Sequence, residues 1–262
     1  MVTVAIALIT LLRQDGSQGK AVPIVQKMLQ HYADAKSLSG TINLMQEFSG
    51  NSVSIDTLLQ YERPSKLYVL QKSIMKFMVE GNPAMQESRK QSLVTSDGTL
   101  FSYNTPADSE YYKSSDRFIE RVTPSGGNQR DLSAIYGIVG SSLLDKSAPL
   151  DILISRNEDL KRHRAEWLTF VLKGKAEVGG ATCDVIEGNW IDRPGSPMKG
   201  LFQMAISPDG DLKKYVIRAN FPVGVDKAFA QSGPQNQILT SVWLISVKVG
   251  GSVDNSLFSV VK

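Results

Sequence analysis

Few residues in this 262-residue chain have the chemistry for catalysis. Histidine occurs twice, as His31 and His163, and cysteine once, as Cys183. A His-based triad or a multi-His metal site needs more partners than these. His31 falls in a helical stretch, where a solvent or packing role accounts for a lone imidazole. His163 belongs to Lys161-Arg162-His163-Arg164. Such a run is a solvated basic face, or a contact for phospholipid headgroups or an acidic partner. Cys183 sits on a predicted strand with Ala181 and Val185, which suits a small core residue better than a nucleophile. Glu47, Asp56 and Glu187 could serve glycoside chemistry only if two of them stood at a specific separation. No Gly-rich phosphate loop, nucleophile elbow or calcium loop occurs. The sequence therefore predicts no catalytic residue, no metal and no cofactor, and the chain is not expected to be an enzyme.

The elements that would position any site are easier to read. Asp97-Gly98 lies between Leu93-Val94 and Leu100-Phe101-Ser102-Tyr103. Asp and Gly tolerate the positive φ of a tight turn, so this stretch predicts a hairpin. Asn104-Thr105-Pro106 turns the chain again, and Tyr111-Tyr112 starts another strand. Before the hairpin, Pro23 to Ser37 has helical spacing, with Val25, Met28, Leu29, Tyr32 and Ala35 on one stripe and Pro23 in the first turn. The period then changes to two. Ile42, Leu44, Gln46 and Phe48 form one face of a strand; Val53, Ile55, Thr57, Leu59 and Tyr61 form the same face of the next, with Ser49-Gly50-Asn51 as the turn. Arg63-Pro64 ends this pair. Lys66 to Leu70 begins a strand, Ile74 to Val79 reads as another, and Asn82 to Gln91 reads as a polar loop.

Beyond Tyr112, Pro124 to Gln129 reads as a loop. Asp131 caps a second predicted helix whose stripe is Leu132, Ile135, Tyr136, Val139, Leu143 and Leu144; Pro149 ends that region. Asn157 to Arg164 is a helical turn or a loop. Strands then recur at Trp167–Lys173, Ala181–Trp190, Leu201–Ser207, Leu212–Phe221, Ile238–Val249 and Leu257–Val260. Pro208-Asp209-Gly210-Asp211 is a tight turn by composition. The fold class is mainly β with α (α+β): a single curved antiparallel sheet, a half-barrel of roughly ten strands, covered by two or three helices. Splitting it near residue 150 would leave each half with an open sheet edge, so one domain over 21–262 is expected.

The net charge of +3 is modest and spread along the chain, which argues against a nucleic-acid partner. Val2 to Leu12 is too short to span a bilayer but suits the apolar region of a signal peptide. Only Met1 precedes it, so the usual positive lead is missing. Gly19-Lys20-Ala21 supplies small residues for cleavage, and residues 13–20 read as a linker. The bland alternative is a first strand or buried helix. With no cysteine near that point for lipidation, the expectation is a soluble protein in the periplasm or otherwise exported.

Two segments then acquire a family meaning. Arg63-Pro64 followed by Lys66-Leu67-Tyr68, and Leu93-Val94-Thr95-Ser96-Asp97-Gly98-Thr99-Leu100-Phe101-Ser102-Tyr103-Asn104, resemble the Arg-Pro step and the Asp-Gly hairpin of the LolA/LolB-like lipoprotein-carrier superfamily. The opening helix and first strand, Val25 through Ile42, fit the same order. So does Gly174 to Gly180 ahead of a strand, as in the larger outer membrane lipoprotein-sorting protein relatives. The resemblance implies a curved sheet cupping an apolar cavity under a helical lid. It implies that Arg63 is the lid latch, donating hydrogen bonds to lid carbonyls; five fixed donors suit Arg to that task better than Lys. A surface arginine held extended by Pro64 is the plain alternative.

The candidate cavity residues are Leu44, Phe48, Val53, Ile55, Leu59 and Phe101, unless they are plain core beneath the helices. Acyl chains gain about 0.8 kcal/mol per buried CH₂, so such a cavity needs no catalytic group to bind lipid. The first functional expectation is an exported soluble carrier or sensor, monomeric, whose partner is a lipid or an acylated lipoprotein, with envelope membrane proteins as further partners. The second is a protein–protein or envelope-stress regulatory module on the same scaffold, without a lipid cavity.

Overall fold

A computed structural model describes residues 16–48, 50–79, 82–105, 116–121, 148–154, 167–191, 199–221 and 237–260. The apolar segment 2–12, the strand start at Tyr111-Tyr112, the loop 124–129, the second predicted helix through Leu144 and the basic run at His163 lie outside these residues.

The first described element is helix α1, Gly16–Ala33. Ala21, Val25, Met28, Leu29 and Tyr32 are all buried, the spacing of one helical face. Burying each of the larger of these side chains contributes about 1.5–3 kcal/mol. The helix starts earlier than its sequence suggested: residues 16–20, expected as linker, are helical, and Pro23 lies inside the helix. Proline there removes the bond to the Gly19 carbonyl, but Gly19 is exposed, so water reaches that acceptor.

Among the described residues, eleven strands follow. The first six are β1 Ser37–Phe48, β2 Asn51–Glu62, β3 Lys66–Val79, β4 Asn82–Asp97, β5 Leu100–Thr105 and β6 Asp116–Arg121. The other five are β7 Trp167–Val178, β8 Ala181–Ile191, β9 Lys199–Ile206, β10 Leu212–Phe221 and β11 Gln237–Val249. They form one antiparallel sheet in the order β6-β5-β4-β3-β2-β1-β11-β10-β9-β8-β7. Two meanders thus join through β1 and β11, the sheet is open, and β6 and β7 are its edges. Helix α2, Ala148–Ile154, lies between β6 and β7 in sequence and packs on α1. Pro149 was expected to end a helix; instead it stands in the first turn of this one, where its missing N–H costs nothing.

Local chemistry accounts for the turns. Phe48 faces Asn51 across a two-residue loop, and Gly50 has φ +79°. At the Asp97-Gly98 hairpin, Asp97 Oδ1 accepts from the N–H groups of Thr99 at 2.7 Å and Leu100 at 2.8 Å. Val178 pairs with Ala181 across Gly179-Gly180, both at positive φ. Arg63-Pro64, between β2 and β3, is a cis peptide.

Three strand expectations change. Lys66–Leu70 and Ile74–Val79 are one strand. Asn82–Gln91, expected as a loop, is the first part of β4 and pairs with β3 from Asn82 onward. Its polar side chains misled because a ladder needs only backbone groups, and several of these side chains point to water. Leu257–Val260, expected as a strand, is not one: Leu257 and Phe258 belong to a 3-10 helix at Asn255–Phe258, capped by Asp254, which accepts from Ser256 N–H at 2.9 Å. The trio Asp254-Asn255-Ser256 has turn chemistry that outweighs three apolar residues.

One face of the sheet meets the helices. It carries Leu38, Ile42 and Leu44 of β1, Ile55 and Leu59 of β2, Val69 of β3 and Val94 of β4, all in one core with α1. On β7 to β11 the same face is aromatic. Tyr215 stacks on Trp243 at 5.4 Å, Trp167 lies 5.6 Å from Phe202, and the Trp167 indole N–H donates to the Tyr215 hydroxyl at 3.2 Å. Three glycines allow close strand approach on this side. A Cβ at Gly40 would lie 2.0 Å from the Ser246 carbonyl oxygen, one at Gly188 2.0 Å from that of Thr169, and one at Gly200 1.9 Å from that of Arg218.

Candidate functional site: the helix-facing side and the arginine at its rim

The best-defined polar arrangement joins the end of α1 to the β2–β3 turn. Helix ends leave carbonyls without intrahelical donors. Arg63 supplies donors there: Nε to the Ala35 carbonyl at 2.6 Å and Nη2 to the Tyr32 carbonyl at 3.0 Å. Its guanidinium lies 5.5 Å from the Tyr61 ring centroid, and its own backbone N–H donates to the Lys36 carbonyl at 2.9 Å. A fixed cation next to helix-terminal carbonyls is also favoured by the helix dipole. Arg63 is half-buried in this position.

A second tie holds the same turn of α1 to the β9–β10 turn. The Tyr32 hydroxyl accepts from Leu212 N–H at 2.9 Å. Burial pushes that hydroxyl far above the usual phenol range; the Leu212 bond opposes this and the charge of Asp211 adds to it. His31 Nε2 stands 3.0 Å from Asp211 Oδ1, and Lys213 Nζ donates to Asp211 Oδ2 at 2.8 Å. Gly210, at φ +102°, packs on His31, where an added Cβ would come 3.2 Å from the histidine Cβ. His31 is thus a packing and hydrogen-bonding residue between two elements.

The candidate cavity residues divide. Leu44, Phe48, Val53, Ile55 and Leu59 share the helix-facing side, and Leu44 stands directly opposite Ile55. Leu44, Ile55 and Leu59 are buried in the core, while Val53 and Phe48 are half-buried. Phe101 stands opposite Ser96 on β5, and its side chain lies outside the described residues. Among the described elements, α1 rests on β7 and β9, and the 3-10 helix rests on β3 and β4.

The sequence reading passed over the polar groups interleaved on this face. Gln46 donates to Ser241 Oγ at 2.9 Å and Gln71 to Thr57 Oγ1 at 3.3 Å, both pairs buried, with Ser92 and Ser96 buried nearby. The available signal was their register: each falls on an inward position of an otherwise apolar alternation.

The carboxylates do not converge. Asp56 accepts from Asn43 Nδ2 at 2.6 Å on the solvent face, and Glu187 pairs with Lys173 at 3.3 Å. Cys183 is buried, its Sγ 3.4 Å from the Ala181 carbonyl, and burial raises its thiol pKa. Among the described residues no group of three His, Cys, Asp or Glu side chains could hold a metal ion, and no helix is long and apolar enough to cross a membrane.

No protein-family model matches the chain, and no curated protein sequence does. Solved structures do. The Mycobacterium tuberculosis lipoprotein LppX is 11% identical, with a TM-score of 0.41, over 89% of this chain and 100% of its own. The Pseudomonas aeruginosa MucA/MucB complex is 13% identical, with a TM-score of 0.37, over 92% of this chain and 61% of its own. An outer membrane lipoprotein-sorting protein domain from Vibrio parahaemolyticus is 11% identical, with a TM-score of 0.26, over 92% of this chain and 97% of its own.

Proposed function

We propose that the protein is a non-catalytic, exported carrier or sensor that holds a lipid, or the acyl chains of a lipoprotein, against the helix-facing side of its sheet. The observation that carries this reading is the Arg63 tie. A helix with one buried apolar face rests on the open sheet at β7 and β9, and its end is fastened at the rim by hydrogen bonds to backbone carbonyls. Such bonds can exchange with water at small net cost, whereas close-packed side chains cannot. Helix α1 then acts as a lid that opens from its Arg63 end, and Val53 and Phe48 mark where the apolar face is least closed. The test is uptake and release of a fluorescent fatty-acid probe by the wild type and Arg63→Leu. The expected result is saturable uptake by both, with faster release from the variant. Equal release rates would remove Arg63 from the mechanism, and no uptake by the wild type would remove the lipid reading.

A second reading is favoured by the other face of the sheet. Met45, Leu58, Ile74 and Leu244 point to solvent there, Met45 with 58% of its surface exposed. Exposed apolar side chains on one face suit a protein partner. In that case the helix-facing side is simply a filled core, and fatty-acid probes will not bind.

A further inference from the structure

The chain has three tryptophans, and all lie on the helix-facing side. Their indole N–H groups are not equivalent. Trp167 donates to the Tyr215 hydroxyl, and Trp243 has a polar or ring partner as well. Trp190 Nε1 is buried, and among the described residues it has no acceptor. A buried donor left without an acceptor keeps its full desolvation penalty, so native structures rarely retain one without a use for it.

The surroundings narrow that use. Trp190, on β8, stands opposite Trp167 of β7 on one side and Gly200 of β9 on the other, and Gly200 stands opposite Ala219 of β10. Toward β10 the indole therefore meets nothing longer than a methyl group in its own row. Only 8% of Trp190 is exposed, and its neighbours Trp167, Phe202 and Ile191 are buried and apolar. Among the described residues, no charged side chain is buried anywhere in the chain. Among the described residues a free carboxylate would have no buried cation to meet here, and it would be costly to desolvate. A neutral carbonyl attached to an apolar chain needs only the one donor that is present.

We propose that the Trp190 indole N–H anchors the ester or amide carbonyl of an acyl lipid bound on this face. The proposal rests on the lipid-binding reading above and assigns the point where the polar end of the ligand is held. It also assigns a preference: esterified or amide-linked acyl chains over free fatty acids and plain hydrocarbons.

The experiment uses the full chain with ¹⁵N-labelled tryptophan, which shows one indole cross-peak per tryptophan. Trp190→Phe assigns the relevant peak, because phenylalanine keeps an aromatic ring and removes the donor. Methyl laurate and tridecane, matched in length, are the two probes. With methyl laurate the Trp190 peak is expected to move downfield, and with tridecane it is expected to show no downfield hydrogen-bond shift. In displacement of a fluorescent fatty-acid probe, Trp190→Phe should weaken methyl laurate by about 2- to 12-fold, the range of one net hydrogen bond, and leave tridecane unchanged. Binding of both probes with the Trp190 peak unmoved would overturn the anchor and leave the lipid reading standing. Equal weakening of both probes in Trp190→Phe would do the same. Failure of methyl laurate to bind the wild type would overturn the lipid reading and the anchor together.

Discussion

Replacing Arg63 by leucine should loosen α1 from the sheet. The wild-type side chain makes two charge-assisted hydrogen bonds, to the carbonyls of Ala35 at 2.6 Å and Tyr32 at 3.0 Å. A hydrogen bond to a charged group contributes about 1.5–3 kcal/mol net, which would give about 3–6 kcal/mol for two. That range must be discounted, because Arg63 is half-buried and water can reach the freed carbonyls. The expected cost of Arg63→Leu is therefore about 2–4 kcal/mol. Arg63→Lys keeps a charge but has one compact head, which cannot span both carbonyls, so it should recover about half of the loss. Urea unfolding at neutral pH measures both values. Hydrogen exchange at the amides of residues 29–33 then shows whether the loss is local. If Arg63→Leu costs less than about 0.5 kcal/mol, the ordinary range for a surface substitution, and exchange at those amides is unchanged, the latch argument is wrong.

Three further predictions follow from the same geometry. Tyr32→Phe removes the acceptor of the Leu212 N–H and should cost about 1–3 kcal/mol by chemical denaturation. Because the folded Tyr32 pKa lies above the ordinary value of 10.0, the unfolded chain gives up this proton first. The stabilisation is complete below pH 10 and is lost as the pH rises through the folded value, so the difference between wild type and Tyr32→Phe should shrink only in strong alkali. The thiol of Cys183, raised by burial, should react slowly with a disulfide reagent in the native protein at pH 8 and quickly in denaturant; fast native labelling would place it at the surface. Leu59→Ala, at a fully buried site, should cost about 2–5 kcal/mol, while Met45→Ser on the solvent face should stay within about 0.5 kcal/mol; similar costs at both would contradict the assignment of faces.

The hairpins were legible because their signals are local. Asp97-Gly98, Ser49-Gly50 and Pro208 to Gly210 each carry residues whose backbone or side-chain chemistry demands a turn. The alternation on β1 and β2 was legible because one face is buried and the other is wet. The first part of β4 was not, because a strand that shows polar side chains looks like a loop, and its pairing with β3 depends on residues far along the chain. The start of α1 was missed because Pro23 reads as a first-turn residue, and only the exposure of Gly19 shows why an interior position is tolerated.

At the candidate site, Arg63 was visible through its motif, but its acceptors on Tyr32 and Ala35 are tertiary facts. The Tyr32–Leu212, His31–Asp211 and Gln46–Ser241 contacts join positions far apart in the chain, and nothing in their local sequence announces them. The lack of an acceptor at Trp190 likewise belongs to the assembled sheet and not to any stretch of sequence.

The most direct test of the central claim is native mass spectrometry of the protein purified from its own envelope, followed by denaturing extraction and lipid analysis. The account predicts a monomer carrying one co-purifying lipid or acylated peptide, released on denaturation. A protein that arrives empty, and that also takes up no fluorescent fatty-acid probe, would contradict it and leave the protein-interaction module as the reading to pursue.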